Sequence, residues 1–151
     1  MGIKHLYISP GHNYFGHYGQ APGTHPVLEV EEVTCLAGRG IQGDRFLDFK
    51  PDYKGQITFF ENEVYLLLNE AFPLVGHPPS VFRRNVITER LDLLALVGEE
   101  FEIQGVRFFG TGECSPCEWM NQAYGDGAEA FLKGRGGLRA RILSDGVLRR
   151  D

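Results

Sequence analysis

Phe101-Glu102-Ile103-Gln104-Gly105-Val106-Arg107-Phe108-Phe109 sets two short apolar-rich runs on either side of a two-residue Gln-Gly turn, the pattern of a β-hairpin. The same brevity recurs along the chain. Twenty Gly and eight Pro in 151 residues cut the sequence into pieces too short for a helical bundle, which favours strands joined by tight turns. Residues 3–9, 56–60 and 85–88 read as strands, and residues 27–36, with alternating Val and Glu, as a half-solvated one. Residues 138–143 and 147–148, around Ser144-Asp145-Gly146, read as a second hairpin. Residues 61–72 carry Val64, Leu67, Leu68 and Ala71 at helical spacing, with acidic residues at the start and Pro73 beyond the end, which predicts an amphipathic helix. Residues 115–133 are helical in composition and broken at Gly125-Asp126-Gly127. The expected fold is a single α+β domain over residues 1–151, mainly β with short helices, closed or nearly closed into a β-barrel.

Composition narrows the functional classes. Hydrophobic residues make up 42% and charged residues 23%, ordinary for a globular domain and unlike disordered, collagenous or coiled-coil chains. No apolar run approaches the roughly 18 residues of a membrane helix, and the first residues have no signal-peptide core, so the expectation is a cytoplasmic protein that does not span a membrane. A net charge of −5 argues against a nucleic-acid partner, which needs a basic face. Three cysteines are too few for a secreted disulfide framework.

Gly112-Glu113-Cys114-Ser115-Pro116-Cys117-Glu118-Trp119-Met120 carries the most chemistry. Ser115 suits an N-cap, Pro116 the first helical position, and Glu118 completes a Ser-x-x-Glu capping box. Cys117 then falls in the first helical turn, where unpaired N–H groups and the helix dipole favour the thiolate. A thiolate can attack electrophiles, carry a persulfide or ligate a soft metal, and Cys114 is spaced to act as a second or resolving thiol. The alternative is a Cys117 packed as a small hydrophobe, with Trp119 and Met120 in the core. A zinc ribbon lacks its second ligand pair, since Cys35 and scattered histidines do not supply one. A thioredoxin-like dithiol would be expected earlier in a βαβ pattern.

The cations are mostly arginine: eleven Arg against four Lys, and the planar guanidinium fork suits phosphate and carboxylate. Gly40-Ile41-Gln42-Gly43-Asp44-Arg45 could present backbone N–H groups and a guanidinium to an anion, or be a glycine turn in which Asp44 and Arg45 pair locally. In Phe82-Arg83-Arg84-Asn85-Val86, strand alternation sends Arg83 and Asn85 to one face and Arg84 to the other, and either face could hold an oxyanion. His12, His17 and His25 fall in a Gly/Pro-rich loop over residues 10–26, where they are either solvated or metal ligands.

Taken in order, residues 40–45, Gly55-Gln56-Ile57-Thr58, Arg83-Arg84-Asn85-Val86, residues 94–103, Ser115-Pro116-Cys117 and Gly137-Leu138-Arg139-Ala140-Arg141 resemble the MOSC domain, the family named for the carboxy-terminal part of molybdenum-cofactor sulfurase. The resemblance implies a β-barrel-like fold and a role in binding molybdenum cofactor (molybdopterin) or carrying sulfur, with Cys117 as the signature cysteine. Soft thiolate and Arg forks in one small acidic chain, read together with this resemblance, lead to the expectation of Cys117 and Cys114 as catalytic thiols, Cys117 as metal ligand, and Asp44, Arg45, Arg83, Arg84 and Asn85 as cofactor-binding residues. Some relatives reduce N-hydroxylated compounds, which would require electrons from a separate reductase. A carrier would instead take sulfur as a persulfide from a cysteine desulfurase and hand it on without turnover of its own. The family's link to pyridoxal phosphate belongs to larger relatives with a fused aminotransferase-like domain. Where the family often has His after Gly-Asp-Arg, this chain has Phe46.

Overall fold

The computed structural model describes residues 1–11, 26–73, 77–114 and 127–151. Ten strands form two sheets: β1 (Gly2–Ile8), β2 (Leu28–Glu29), β3 (Glu32–Leu36), β4 (Gly40–Ile41), β5 (Ile57–Glu61), β6 (Val86–Glu89), β7 (Glu100–Ile103), β8 (Val106–Glu113), β9 (Leu138–Ile142) and β10 (Gly146–Arg149). The larger sheet runs β2-β1-β6-β5-β9-β8-β7 and the smaller β10-β3-β4. Two α-helices, α1 (Asn62–Ala71) and α2 (Ala128–Leu132), and two 3-10 turns, Pro79–Phe82 and Leu94–Leu96, complete the described elements. None of these helices is long and apolar enough to cross a membrane.

The Gln104-Gly105 hairpin forms as the sequence predicts, with Ile103 opposite Val106 and both turn residues at positive φ. Only β5 and β6 pair in parallel, because α1 and the Pro79–Phe82 turn carry the chain from the end of one to the start of the other. Alternation divides the apolar residues between two cores. Ile57, Phe59, Leu138, Ala140 and Ile142 face the small sheet, where they meet Val33, Cys35, Ile41 and Leu148. Phe60, Ile87 and Tyr7 face the opposite way and pack on Val64, Leu68, Phe82, Ala128 and Leu132. Each fully buried Phe, Leu or Ile here contributes about 1.5–3 kcal/mol, so the central strands, covered on both faces, anchor the fold.

Three expectations change. Residues 27–36 are not one strand: β2 pairs with β1 in the large sheet, and β3 pairs with β4 and β10 in the small one, so the chain passes between sheets at Val30-Glu31. Residues 138–148 are not a hairpin either. β9 lies between β5 and β8, while Ser144-Asp145 hands the chain to β3: the Arg107 amide donates to Ser144 Oγ at 2.9 Å and the Ala37 amide to Asp145 Oδ1 at 2.7 Å. Those side chains hold a crossover between sheets rather than a tight turn. Finally, the described strands form two open sheets around a shared core, and none of their pairings closes a barrel.

Candidate functional site

At one end of the large sheet, on the face opposite the small one, β9 begins, β8 ends and β6 is about to begin. Beside them lies the loop from β4 to β5, residues 42–56. Arg45, Phe46, Tyr53, Gly55, Thr58, Arg83, Arg84, Cys114 and Arg139 line a pocket of about 250 Å³ there. Four guanidinium groups and a thiol thus converge, although 94 residues separate Arg45 from Arg139.

Local folding explains each placement. Asp44 is fully buried and accepts hydrogen bonds from the Ser9 amide at 3.0 Å and the Phe46 amide at 3.3 Å, which closes the glycine turn over β1. Its Oδ1 also takes Arg45 Nη1 at 3.2 Å, while Arg45 Nη2 donates to the Arg83 carbonyl at 3.0 Å. Asp44 thus pairs locally with Arg45, and Arg45 also lines the pocket. Burial pulls the Arg45 guanidinium down to about 10 against the attraction of Asp44, with Arg83 and Arg84 adding repulsion.

The expected split of Arg83 and Arg84 does not occur. Arg83 closes the Pro79–Phe82 turn in the left-handed region at φ 55°, and β6 starts only at Val86, so strand alternation does not apply to the pair. Both arginines line the pocket. Arg83 Nη2 donates to Ser9 Oγ and to the Gly11 carbonyl, each at 3.0 Å. Arg84 donates to the carbonyls of Phe82 at 2.9 Å and Gly136 at 3.2 Å. Asn85, by contrast, spends its side chain on the scaffold. Its Oδ1 accepts from the Thr58 amide at 3.0 Å and its Nδ2 donates to the Tyr7 carbonyl at 3.2 Å, stapling β6 to β5 and β1.

Cys114 is buried at the end of β8, where its amide donates to the Gly137 carbonyl at 2.8 Å. Burial pushes its thiol above the usual range, opposed by Arg84, which hydrogen-bonds the sulfur, and by Arg139. Cys35, far from these cations in the core, is pushed up to about 12 by burial alone. Cys117, Trp119, Met120, His12, His17 and His25 lie outside the described residues. Among the described residues, no cluster of three His, Cys, Asp or Glu could hold a metal ion.

Arg139 and Tyr53 are among the pocket residues that sequence reading missed. Arg139 was noted only as part of the closing motif, and its role depends on a bulge. Thr111 is the extra residue between Gly110, opposite Ala140, and Gly112, opposite Arg139, and its hydroxyl donates to the Lys54 and Arg139 carbonyls. Tyr53 sits in the β4–β5 loop, its ring stacked on Phe46 with centroids 5.5 Å apart and edge-on to Phe49 at 4.9 Å. The aromatic spacing Phe46, Phe49, Tyr53 was the available signal. Phe46, in the place where His was expected, thereby becomes part of an aromatic wall.

No curated protein matches the sequence. The fold is similar to that of the YuaD protein from Bacillus subtilis, at a TM-score of 0.74 and 16% identity over 99% of this chain and 91% of that one. It is also similar to YiiM from Escherichia coli, at 0.66 and 17% over 100% and 67%, and to YiiM from Geobacillus stearothermophilus, at 0.68 and 12% over 98% and 70%. The MOSC domain pattern matches residues 40–151, a stretch that holds every residue lining the arginine pocket, and the chain therefore belongs to the MOSC domain family.

Proposed function

We propose that the arginine pocket binds the anionic, phosphate-bearing end of molybdenum cofactor, that the Cys117 thiolate ligates the metal, and that the chain reduces small N-hydroxylated substrates with electrons from a separate reductase. The observation that carries this reading is the convergence of four arginines on one pocket. Four guanidinium groups line it, and Asp44 is paired with Arg45. Arg83 donates to the Ser9 hydroxyl and the Gly11 carbonyl and Arg84 to the Phe82 and Gly136 carbonyls, neutral acceptors that orient a guanidinium without cancelling its charge. Such a donor set fits a phosphate, and its volume suits the phosphate end of a larger ligand rather than the whole of it.

Bound molybdenum cofactor supplies two-electron redox chemistry at a soft metal. The protein's part is to hold and orient. Arg45, locked by Asp44 and the Arg83 carbonyl, offers a guanidinium already in place, so little side-chain entropy is lost on binding. Arg84 spans from the Phe82 carbonyl to the Cys114 sulfur and supports a negative charge at either the ligand or the thiol. Phe46 and Tyr53 supply an apolar flank that limits water at the anion.

Anaerobic purification from a molybdenum-replete host, followed by elemental analysis, pterin fluorescence and intact mass, tests the reading. The wild type is expected to carry molybdenum and pterin in equal amounts. Cys117→Ser is expected to lose metal while retaining pterin, and Arg45→Met to lose both. Wild-type protein with neither metal nor pterin would sink the cofactor reading. One extra sulfur atom on Cys117 in its place would make the chain a persulfide carrier.

A further inference from the structure

Arg139 and Arg141 stand two residues apart on β9 and face the same side of the sheet, yet their environments differ. Arg141 Nε lies 3.0 Å from Asp52 Oδ1 and 3.3 Å from the Asp52 carbonyl oxygen, to which it donates. The Nε of Arg139 is buried and has no hydrogen-bond partner among the described residues. An ionised donor buried without a partner costs more than an ordinary unmet hydrogen bond, so its position beside a pocket needs a reason.

Tyr53 supplies the second half. Its backbone neighbours are pinned on both sides: Arg141 holds the Asp52 carbonyl, and the bulged Thr111 holds the Lys54 carbonyl. Its ring is fixed by Phe46 and Phe49 and lies against Gly55, where an added Cβ would press on the ring at 3.1 Å. With everything around it anchored, the phenol itself makes no hydrogen bond among the described residues. Burial pushes that phenol above its usual range and so keeps its O–H in place, with Arg139 and Arg45 opposing the rise and Cys114 adding to it.

We propose that Tyr53 and Arg139 form an oxyanion seat in the wall of the arginine pocket, two preorganised donor groups that take the oxygens of a phosphate, sulfate or carboxylate group. The seat deepens the cofactor reading and rests on it only for the identity of the natural ligand: the oxyanion is either the cofactor's phosphate or an anionic group of a substrate. Arg139 brings only donors, the phenol brings its O–H, and no carboxylate of the described residues pairs with either, so the seat selects anions that accept.

The test uses inorganic phosphate and protein expressed in a host that cannot make molybdopterin. Calorimetric titration is expected to show saturable binding at one site, accompanied by a shift of the Arg139 Nε–H signal in the NMR spectrum. Tyr53→Phe keeps the ring stacking and is expected to weaken binding about 10-fold, and Arg139→Met about 100-fold, the range for hydrogen bonds to a charged group. Arg107→Met, which removes an exposed cation paired with Glu100, should leave the affinity unchanged. Absence of saturable binding, or wild-type affinity in both seat variants, would overturn the proposal. Repeating the titration on cofactor-loaded protein separates the two sources: blocked binding assigns the seat to the cofactor's phosphate, and retained binding assigns it to a substrate. A protein that never carries molybdenum would end the cofactor reading and leave the result for the seat standing.

Discussion

Asn85 and Arg84 are adjacent, and both read as oxyanion ligands in the sequence, yet the fold divides their work. A side-chain amide has the same donors and acceptors whether it meets a ligand or a neighbouring strand, so only burial and partners decide its role. Asn85 is buried and holds Thr58 and Tyr7, whereas Arg84 reaches the pocket and the Cys114 sulfur. Asn85→Ala is therefore expected to lower stability by about 2–4 kcal/mol, since it strands the buried Thr58 amide and Tyr7 carbonyl, each worth roughly 1–3 kcal/mol when unmet. Urea denaturation measures the loss. A ligand role would give the opposite pattern, with unchanged stability and weaker phosphate affinity. The Arg45 position was legible, because Gly-Asp-Arg at a turn constrains both side chains locally. Arg139 was not, because its lack of a partner depends on which strand lies beside β9.

At the scale of elements, the sequence revealed strands better than their neighbours. The Gln104-Gly105 hairpin could be read because its pairing is local. β9 and β10 could not, because Ser144-Asp145-Gly146 has the composition of a hairpin turn while the strands on either side bury their apolar residues in different sheets. One short segment illustrates the dependence on distant contacts. Gly137, at φ +98°, immediately precedes β9 with its Cα against the Phe59 carbonyl, and a Cβ there would collide with that oxygen. The same segment supplies the Gly137 carbonyl to the Cys114 amide and the Gly136 carbonyl to Arg84. Gly137→Ala combines a steric clash with an unfavourable backbone region, and is expected to destabilise by about 2–5 kcal/mol. Because β9 would have to move away from β5, the variant should also lose phosphate affinity. Thermal unfolding and the phosphate titration together check both consequences; a folded variant of wild-type stability would show that β9 can shift without cost.

Over the whole molecule, the arrangement concentrates positive charge in a chain whose net charge is −5. Long-range attraction from the acidic surface is screened beyond about 8–10 Å at physiological salt, so it does little to relieve repulsion among guanidiniums that share one cleft. Burial and the neighbouring Arg83 and Arg84 already lower the proton affinity of Arg45. A pocket of this kind is strained when empty and relieved when an anion enters, which links stability to function with opposite signs. Arg139→Met retains an unbranched apolar stem while removing a half-buried guanidinium whose buried Nε has no partner among the described residues. It is therefore expected to raise the stability of ligand-free protein by about 1 kcal/mol. In the wild type, phosphate at about 100 times its dissociation constant should add about 2.7 kcal/mol, as mass action requires for a ligand that binds only the folded state. Sodium chloride at matched ionic strength should add far less, since screening lacks the directed hydrogen bonds of a phosphate. The variant should start higher and gain almost nothing from phosphate, so the order of melting temperatures should reverse between phosphate-free and phosphate-rich buffer. Differential scanning calorimetry of the two proteins in both buffers measures that crossing, and parallel curves would mean that Arg139 contributes to neither the strain nor its relief.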